Sequence, residues 1–172
     1  MRNIVLVGFM GTGKTSVGRQ LADRLGLAFV DMDAVIEAHE GRPVPRIFAE
    51  SGEPYFRALE RDRVRELAAR DGLAIATGGG VVLNPDNTRD FSLSGVLVCL
   101  TASPETILAR VAAETHRPLL AGDDKGQKIR SLLKAREPFY GAIPSRVKTD
   151  GLTVDEVANA VLGLYFAVKS PG

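Results

Sequence analysis

Residues 4–25 read IVLVGFMGTGKTSVGRQLADRL, and the eight residues 8–15, GFMGTGKT, decide the fold. The apolar run before them predicts a buried strand, and the apolar residues after them recur at helical spacing. A strand, a Gly-x-x-x-x-Gly-Lys-Thr string and a helix, in this order, are the context of a phosphate-binding loop. Its main-chain amides can surround phosphate oxygens at the positive end of the helix. The alternative is an ordinary glycine-rich turn, which needs neither the lysine nor so many glycines.

The side chains of this loop suggest distinct roles. Lys14 would place a point charge on the outer phosphates, and the Thr15 hydroxyl could join the first shell of a magnesium ion. The residues that we expect to bind nucleotide in this loop are Gly11, Thr12, Gly13, Lys14, Thr15 and Ser16.

Composition limits the classes of protein that the chain can belong to. It has 172 residues, 45% apolar and 25% charged, which predicts one globular domain over residues 1–172. The 22 basic residues nearly balance 21 acids, so no global field points to nucleic acid or a membrane. The single cysteine, Cys99, excludes an intramolecular disulfide and suits a buried thiol. Lacking a signal peptide, an 18-residue apolar stretch or a long heptad pattern, the sequence predicts a cytoplasmic monomer.

Short apolar runs alternate with amphipathic stretches along the whole chain. This pattern predicts a five-stranded parallel sheet covered by helices on both faces. The predicted strands are residues 4–7, 27–30, 73–77, 96–100 and 146–149. Ligands of such sheets bind beyond the carboxyl ends of the strands, so the residues after each run matter most. Helix ends are expected at Gly26, at Ser103-Pro104 and at a capping box formed by Thr153 and Glu156.

Two carboxylates follow the second strand, Asp31 and Asp33. At the two-residue period of a strand they would point to one side, toward the phosphate site. We expect Asp31 to bind magnesium, directly or through water, and Asp33 to hold the hydroxyl that attacks the terminal phosphoryl group. The alternative is that one or both cap the helix that starts near Ala34.

The next thirty residues belong to no predicted strand. They contain several glycines and prolines and should form short helices, and residues 33–60 are well placed to hold a second substrate. Four apolar side chains are available to line that pocket: Ile47, Phe48, Tyr55 and Phe56. Arg57 lies three residues before Glu60, which could orient its guanidinium, although such a pair is usually solvated.

Three later features complete the candidate site. Residues 78–80, Gly-Gly-Gly, end the third strand and favour a tight bend or a close approach of a ligand to the backbone rather than a flexible loop. Residues 112–124 are polar and predict a mobile lid, whose Arg117 could neutralise charge on the transferring phosphoryl group. Arg136 lies near the predicted end of a helix over 125–137, where spacing alone suggests only a surface cation.

In order along nearly the whole chain, the motifs GFMGTGKT, FVDMD, IFAESGEPYFRALE, ATGGGVV, RPLL and EPFY resemble those of the shikimate kinases. The resemblance implies a P-loop kinase fold like that of the nucleoside-monophosphate kinases, with a three-layer α/β/α core and a lid. It also implies ATP-dependent phosphorylation of shikimate on its 3-hydroxyl, with Mg2+ as cofactor.

The resemblance also assigns roles to individual residues. Asp33 would hold the reacting hydroxyl, Arg57 and Arg136 the carboxylate, and the backbone of Gly79 and Gly80 a neighbouring part of the substrate. Lys14 and Arg117 would serve the phosphates, Thr15 and Asp31 the magnesium, and Arg110 the adenine side.

The sequence departs from the family pattern after Tyr140, where it reads Gly-Ala-Ile-Pro-Ser-Arg, and around Pro43 and Pro45. Two other functions are compatible with the residues themselves. One is a kinase for gluconate or a nucleoside monophosphate, and the other is a binding module that uses ATP to switch conformation. The second leaves Asp33, Arg57 and Arg136 without a purpose.

Overall fold

The computed structural model describes residues 2–112 and 125–168, which form five strands and eight α-helices. The strands are β1 (Asn3–Gly8), β2 (Ala28–Asp31), β3 (Leu73–Ala76), β4 (Gly95–Thr101) and β5 (Arg146–Lys148). The helices are α1 (Lys14–Leu25), α2 (Met32–Glu40), α3 (Val44–Ser51), α4 (Glu53–Ala68), α5 (Pro85–Ser94), α6 (Pro104–Ala112), α7 (Lys125–Gly141) and α8 (Val154–Ala167). A short 3-10 turn covers Val81–Leu83.

The five strands form one parallel sheet in the order β2-β3-β1-β4-β5. Each predicted strand is present, within one or two residues at its ends. Because β1 lies at the centre, the loop that follows it opens at the middle of the sheet edge. The chain changes direction there, β3 pairing on one side of β1 and β4 on the other, and this is where ligands bind in open sheets.

Both faces of the sheet are buried, as the continuous apolar runs predict. Alternate residues of β1 point to opposite faces: Ile4 and Leu6 pack with α1 and α8, whereas Val5 and Val7 pack with α4 to α7. Helices α2, α3 and α4 add a smaller cluster of Ile36, Ile47 and Phe56. The predicted three-layer arrangement is therefore confirmed.

The expected helix ends are also present. Gly26 ends α1 in a left-handed conformation, and the Ser103 side chain accepts a hydrogen bond from the Thr106 amide at the start of α6. Thr153 and Glu156 form the reciprocal capping box of α8. Within the described ranges, none of the helices has the length and apolar character needed to cross a bilayer.

One helix boundary was predicted wrongly. Helix α7 continues through Pro138 to Gly141 and does not end before the proline. A proline within a helix removes one amide donor, but Tyr140, two residues later, is buried, and tertiary packing outweighs the local signal. The predicted lid, residues 112–124, lies outside the described residues except for Ala112 at the end of α6.

Candidate active site

A cavity of about 790 Å³ opens at the carboxyl edge of the sheet. At one end it is lined by residues 10–17 of the phosphate-binding loop, and at the other by side chains from α2, α3, α4 and α7. The predicted site residues of the described ranges all line it: Gly11, Thr12, Gly13, Lys14, Thr15, Ser16, Asp31, Asp33, Arg57, Gly79, Gly80, Arg110 and Arg136.

The loop after β1 has the geometry of an anion cradle. Gly11 and Gly13 have positive φ angles of 76° and 92°, which residues with side chains rarely adopt. Gly13 is the N-cap of α1 and makes no side-chain cap, and the first turn of the helix holds no acid. The helix start is therefore suited to an external anion. Thr12 is buried and donates to the Phe9 carbonyl at 2.7 Å, which braces the loop from within.

The Lys14 ammonium points back over this loop. Its Nζ donates to the Gly8 and Phe9 carbonyls, the latter at 3.2 Å. Thr15 and Ser16 follow at the exposed start of α1, on the wall of the cavity. The Lys14 ammonium and the hydroxyls of Thr15 and Ser16 thus line the same cavity, as the motif predicts.

Asp31 and Asp33 reach the cavity by a different route from the one predicted. Strand β2 ends at Asp31, so the two-residue period does not extend to Asp33, which lies in the first turn of α2. Asp31 is the N-cap of that helix and accepts from the Ala34 amide at 3.2 Å. The capping alternative is thus correct for Asp31, although both carboxylates line the cavity.

The Asp33 carboxylate is partly buried in the wall of the cavity. Its Oδ1 is buried and has no hydrogen-bond partner within the described part of the chain. Burial raises the pKa of Asp33 above its ordinary value, against the opposing attraction of Lys14. An unsatisfied buried carboxylate oxygen is well placed to accept a hydrogen bond from a ligand hydroxyl.

Arg57 and Glu60 form the predicted pair on α4, but not as a solvated one. Arg57 donates to Glu60 at 3.1 Å, and Glu60 is only 1% exposed. Burial raises the pKa of Glu60 to about 7, with Arg57 acting in the opposite direction. Arg57 also lies near the rings of Phe48 and Phe56, 5.9 and 5.4 Å from their centroids. The guanidinium is held on several sides, with its remaining surface toward the cavity.

Arg136 is a cavity residue rather than the surface cation that spacing alone suggested. It lies on α7 and its guanidinium is 5.7 Å from the centroid of the Phe9 ring. Its Nε is buried and has no hydrogen-bond partner among the described residues. The guanidinium groups of Arg136 and Arg57 therefore approach neighbouring positions of the glycine segment, residues 78–80.

The glycine segment explains how these side chains converge. A Cβ on Gly78 would come within 2.8 Å of Asp33 Oδ1, and a Cβ on Gly79 within 3.0 Å of Arg136 Nη1. A Cβ on Gly80 would overlap the Arg57 guanidinium. Each glycine thus leaves room for one predicted substrate-binding side chain, whereas the close approach of a ligand to this backbone stays a prediction.

Other residues shape the cavity at its nucleotide end. Arg110 on α6 donates to the Gly11 carbonyl at 2.9 Å and to the Thr149 hydroxyl at 3.1 Å, so it ties the phosphate-binding loop to the end of β5. Asp150 accepts from Thr106 at 2.6 Å and from the Ser103 amide at 2.9 Å, and these bonds hold its pKa well below the usual range. Sequence reasoning missed this clamp, since Asp150 matches no motif.

The expected apolar lining is only partly correct. Phe48 and Phe56 line the cavity with ring centroids 4.7 Å apart, and Ile47 is buried beneath them. Tyr55 does not line it: the side chain is exposed and its hydroxyl contacts Glu40. Position 55 lies on the outer side of α4, one residue from the buried Phe56, which a count of apolar residues cannot show.

Sequence reasoning also missed Tyr140. Its hydroxyl donates to the Gly79 carbonyl at 2.5 Å from the last turn of α7. This contact anchors the start of the segment after Tyr140, where the sequence departs from the family pattern. At the other end of that segment the Cys99 amide donates to the Ser145 carbonyl, just before β5 begins. Arg117, the predicted lid arginine, lies outside the described residues.

The residues fit a magnesium ion that depends on the nucleotide. Thr15 and Asp31 both line the cavity, and one Asp31 oxygen is used in capping α2. No cluster of three or more acidic, histidine or cysteine side chains in the described ranges could hold a metal alone. Mg2+ commonly takes one or two protein oxygens and completes its shell with phosphates and water.

Comparison with known proteins gives consistent results. The sequence model of the family described as shikimate kinase matches residues 10–164. A shikimate kinase of Pelotomaculum thermopropionicum is 48% identical over 162 residues, covering 94% of each chain, and one of Thermoanaerobacter pseudethanolicus is 45% identical, covering 98% of this chain and 99% of that one. The structure of shikimate kinase from Acinetobacter baumannii in complex with shikimate superimposes with a TM-score of 0.91 at 38% identity, covering 99% of this chain and 96% of that one.

Proposed function

The chain belongs to the shikimate kinase family, and we propose that it transfers the terminal phosphoryl group of ATP to the 3-hydroxyl of shikimate, giving shikimate 3-phosphate and ADP. The predicted P-loop kinase fold agrees with the parallel sheet and with the solved relative. One observation carries the proposal: the anion cradle and the set of one acid and two arginines line a single cavity.

The shikimate end of the cavity suits a hydroxylated carboxylic acid. Arg57 and Arg136 offer two planar guanidinium groups, which match a carboxylate better than ammonium groups would. Asp33 has an unsatisfied buried oxygen that can accept a hydrogen bond from the reacting hydroxyl. The Gly79 and Gly80 backbone would contact a neighbouring part of the substrate, beside the two guanidinium groups for which these glycines leave room.

Phosphoryl transfer requires mainly alignment and stabilisation of charge. We assign alignment of the hydroxyl to Asp33, whose raised pKa also allows it to accept the proton as the new bond forms. Lys14 would leave the Gly8 and Phe9 carbonyls for the phosphate oxygens. Arg117 would add its charge from the lid, and Arg110 would contact the adenine side.

Magnesium would be held by Thr15 and Asp31 together with phosphate oxygens of the nucleotide. When bound, it supplies charge neutralisation of the phosphates. The chain itself would contribute the loop amides and the hydroxyl alignment.

The remaining predictions complete the proposal. We propose a single domain over residues 1–172, with a substrate-binding segment near 33–60 and a lid near 112–124, active as a cytoplasmic monomer without nucleic-acid or membrane partners. The near balance of charge supports the last point.

Measurement of ADP release tests this function. Shikimate, gluconate and the nucleoside monophosphates are offered separately with ATP and Mg2+, and each reaction is repeated with EDTA. We expect magnesium-dependent ADP release with shikimate at least about a hundredfold above the others, because its rigid ring can place a carboxylate at the two half-buried arginines and a hydroxyl at Asp33 at the same time. Turnover of gluconate alone, or ATP binding without any turnover, would refute the proposal.

A further inference from the structure

Tyr140 contacts Gly79 at the shikimate end of the cavity but does not line the cavity itself, and the proposed reaction gives it no role. It is on the last turn of α7, and its ring is 7% exposed within the core that packs α4 to α7 on the sheet. Its hydroxyl is the one polar atom of the side chain, and a buried phenol requires a partner. That partner determines what the residue does beyond filling space.

The Tyr140 hydroxyl lies beside two groups of the shikimate end, the Gly79 backbone and the Arg136 guanidinium. It donates to the Gly79 carbonyl at 2.5 Å. It lies 3.8 Å, and Arg136 Nη1 3.0 Å, from the position that a Cβ on Gly79 would take. Tyr140 follows Arg136 by four residues, so the two side chains share one face of α7. Burial raises the pKa of Tyr140 to about 12 while Arg136 opposes this, consistent with direct contact of the two groups.

Among the described residues, Arg136 has few other groups to fix its orientation. Its Nε has no hydrogen-bond partner among the described residues, and the Phe9 ring contacts the guanidinium without directing its N–H groups. A fork that binds a carboxylate through two parallel hydrogen bonds needs a fixed plane. The hydroxyl of Tyr140 is the neighbouring group that can fix it.

We infer that Tyr140 is a positioning residue for shikimate, whose hydroxyl holds the Gly79 backbone and the Arg136 guanidinium in one arrangement. The inference rests on the proposed function, because it assigns Tyr140 to the carboxylate end of the same site. Tyr140 does not touch the substrate. It acts through the two groups that do.

The test compares two tyrosines. Tyr140→Phe removes only the hydroxyl, and Tyr165→Phe removes the same atom from a second buried tyrosine, 4% exposed, whose hydroxyl donates to the Arg2 carbonyl at 3.1 Å. Tyr165 is on α8 in the core of the opposite face and lines no part of the cavity. Steady-state kinetics with shikimate and ATP varied in turn, and thermal unfolding, are measured for both variants and the unmodified enzyme.

We expect Tyr140→Phe to raise the KM for shikimate about three- to tenfold, the effect of one hydrogen bond, with the KM for ATP unchanged. Tyr165→Phe should leave both constants unchanged. An unaltered shikimate KM in Tyr140→Phe, or an equal rise in both constants, would overturn the inference. If the unmodified enzyme itself released no ADP with shikimate, the proposed function would fail instead.

A second measurement does not require the Tyr140→Phe variant to fold. The chain has three tyrosines, so 3-fluorotyrosine labelling gives three fluorine resonances, two of which are assigned by the Tyr165→Phe and Tyr55→Phe variants. Shikimate should shift the Tyr140 resonance and leave the Tyr165 resonance in place. A Tyr140 resonance that saturating shikimate does not move would contradict the inference.

Discussion

Arg57 and Glu60 form a 3.1 Å ion pair in which the carboxylate is almost completely buried and the guanidinium is 24% exposed. A buried acid is usually accompanied by a buried base. Here the Arg57 guanidinium lines the cavity, so part of its positive charge is available to a bound anion. Asp33 on α2 and Arg136 on α7 also affect the pKa of Glu60, which lies near neutrality.

This pair predicts a pH dependence of shikimate binding. An anion bound beside Arg57 favours the protonated form of Glu60, so the KM for shikimate should rise as pH increases through about 7. A coupling of about 1 kcal/mol between the two negative charges would give about a fivefold change. Glu60→Gln keeps an acceptor for Arg57 and removes the titration, so its KM should lack this step. Identical pH profiles for the two enzymes would contradict the assignment.

The same group predicts a pH dependence of stability. Its pKa is raised by folding from 4.5 to about 7, so between these values the folded state holds a proton that the unfolded state releases. The free energy of unfolding should therefore fall as pH rises from about 4.5 to 7, by at most about 3 kcal/mol. Urea titrations of the unmodified protein and of Glu60→Gln at several pH values measure this difference. A difference that grows in the opposite direction would refute the raised pKa.

Replacement of Arg57 should affect one substrate only. Arg57→Ala removes a charged partner of the carboxylate, so we expect the KM for shikimate to rise about ten- to hundredfold with little change for ATP. Arg61→Ala is the matched control, because Arg61 lies on the same helix, pairs with Asp90 and does not line the cavity. Unchanged shikimate affinity in Arg57→Ala would exclude the carboxylate role.

Lys14→Met should affect turnover rather than binding of shikimate. In the proposed reaction the ammonium would contact charge that develops on the phosphates, so kcat should fall about a hundred- to a thousandfold while the KM for shikimate stays within a few-fold. The exposed Lys134 offers a control, Lys134→Met, with the same loss of charge outside the cavity. Arg117→Ala should follow Lys14→Met in direction if the lid supplies its guanidinium to the phosphates.

Gly80→Ala separates binding from stability. The added Cβ would collide with the tip of the Arg57 side chain, which can move away, rather than with backbone, which cannot. The fold should therefore survive while the displaced guanidinium raises the KM for shikimate about ten- to hundredfold. Gly163→Ala, in an open position of α8, should leave the kinetics unchanged and stabilise by about 0.5–1 kcal/mol. A Gly80→Ala enzyme with normal kinetics would exclude the close approach.

Local patterns predicted the sheet and the phosphate-binding loop, because strands of continuous apolar residues and the Gly-Lys-Thr string are determined within a few residues. They did not resolve Arg57 and Arg136, since spacing along a helix is the same for a solvated ion pair and a buried one. The charge of Glu60 is affected by Asp33 on α2 and by Arg136 on α7, which are far from it in the sequence, and no local pattern records this proximity. The family resemblance assigns both arginines to the substrate carboxylate, and the structure has both on the wall of the cavity.

Two local predictions fail for different reasons. The alternation of Asp31 and Asp33 predicts that both point to one side of the strand end, yet α2 begins at Met32 and Asp31 caps it through the Ala34 amide. Pro138 predicts a helix end, yet the buried Tyr140 holds the next turn against Gly79, a long-range contact that outweighs the local rule. Asp150 was missed because it belongs to no motif, and Tyr140 because the EPFY motif supports only the family resemblance and suggests no chemical role by itself.

The two faces of the sheet have separate interiors, one beneath α1 and α8 and the other beneath α4 to α7. Loosening the first, for example at Leu21 or Val161, would disturb the support of the helix whose start faces the phosphates, whereas loosening the second, at Val64 or Ile129, would disturb the helices that carry the two arginines. Adaptation of this enzyme to another temperature could thus adjust its affinity for the nucleotide and for the acid by substitutions in different layers, with no change at the site itself.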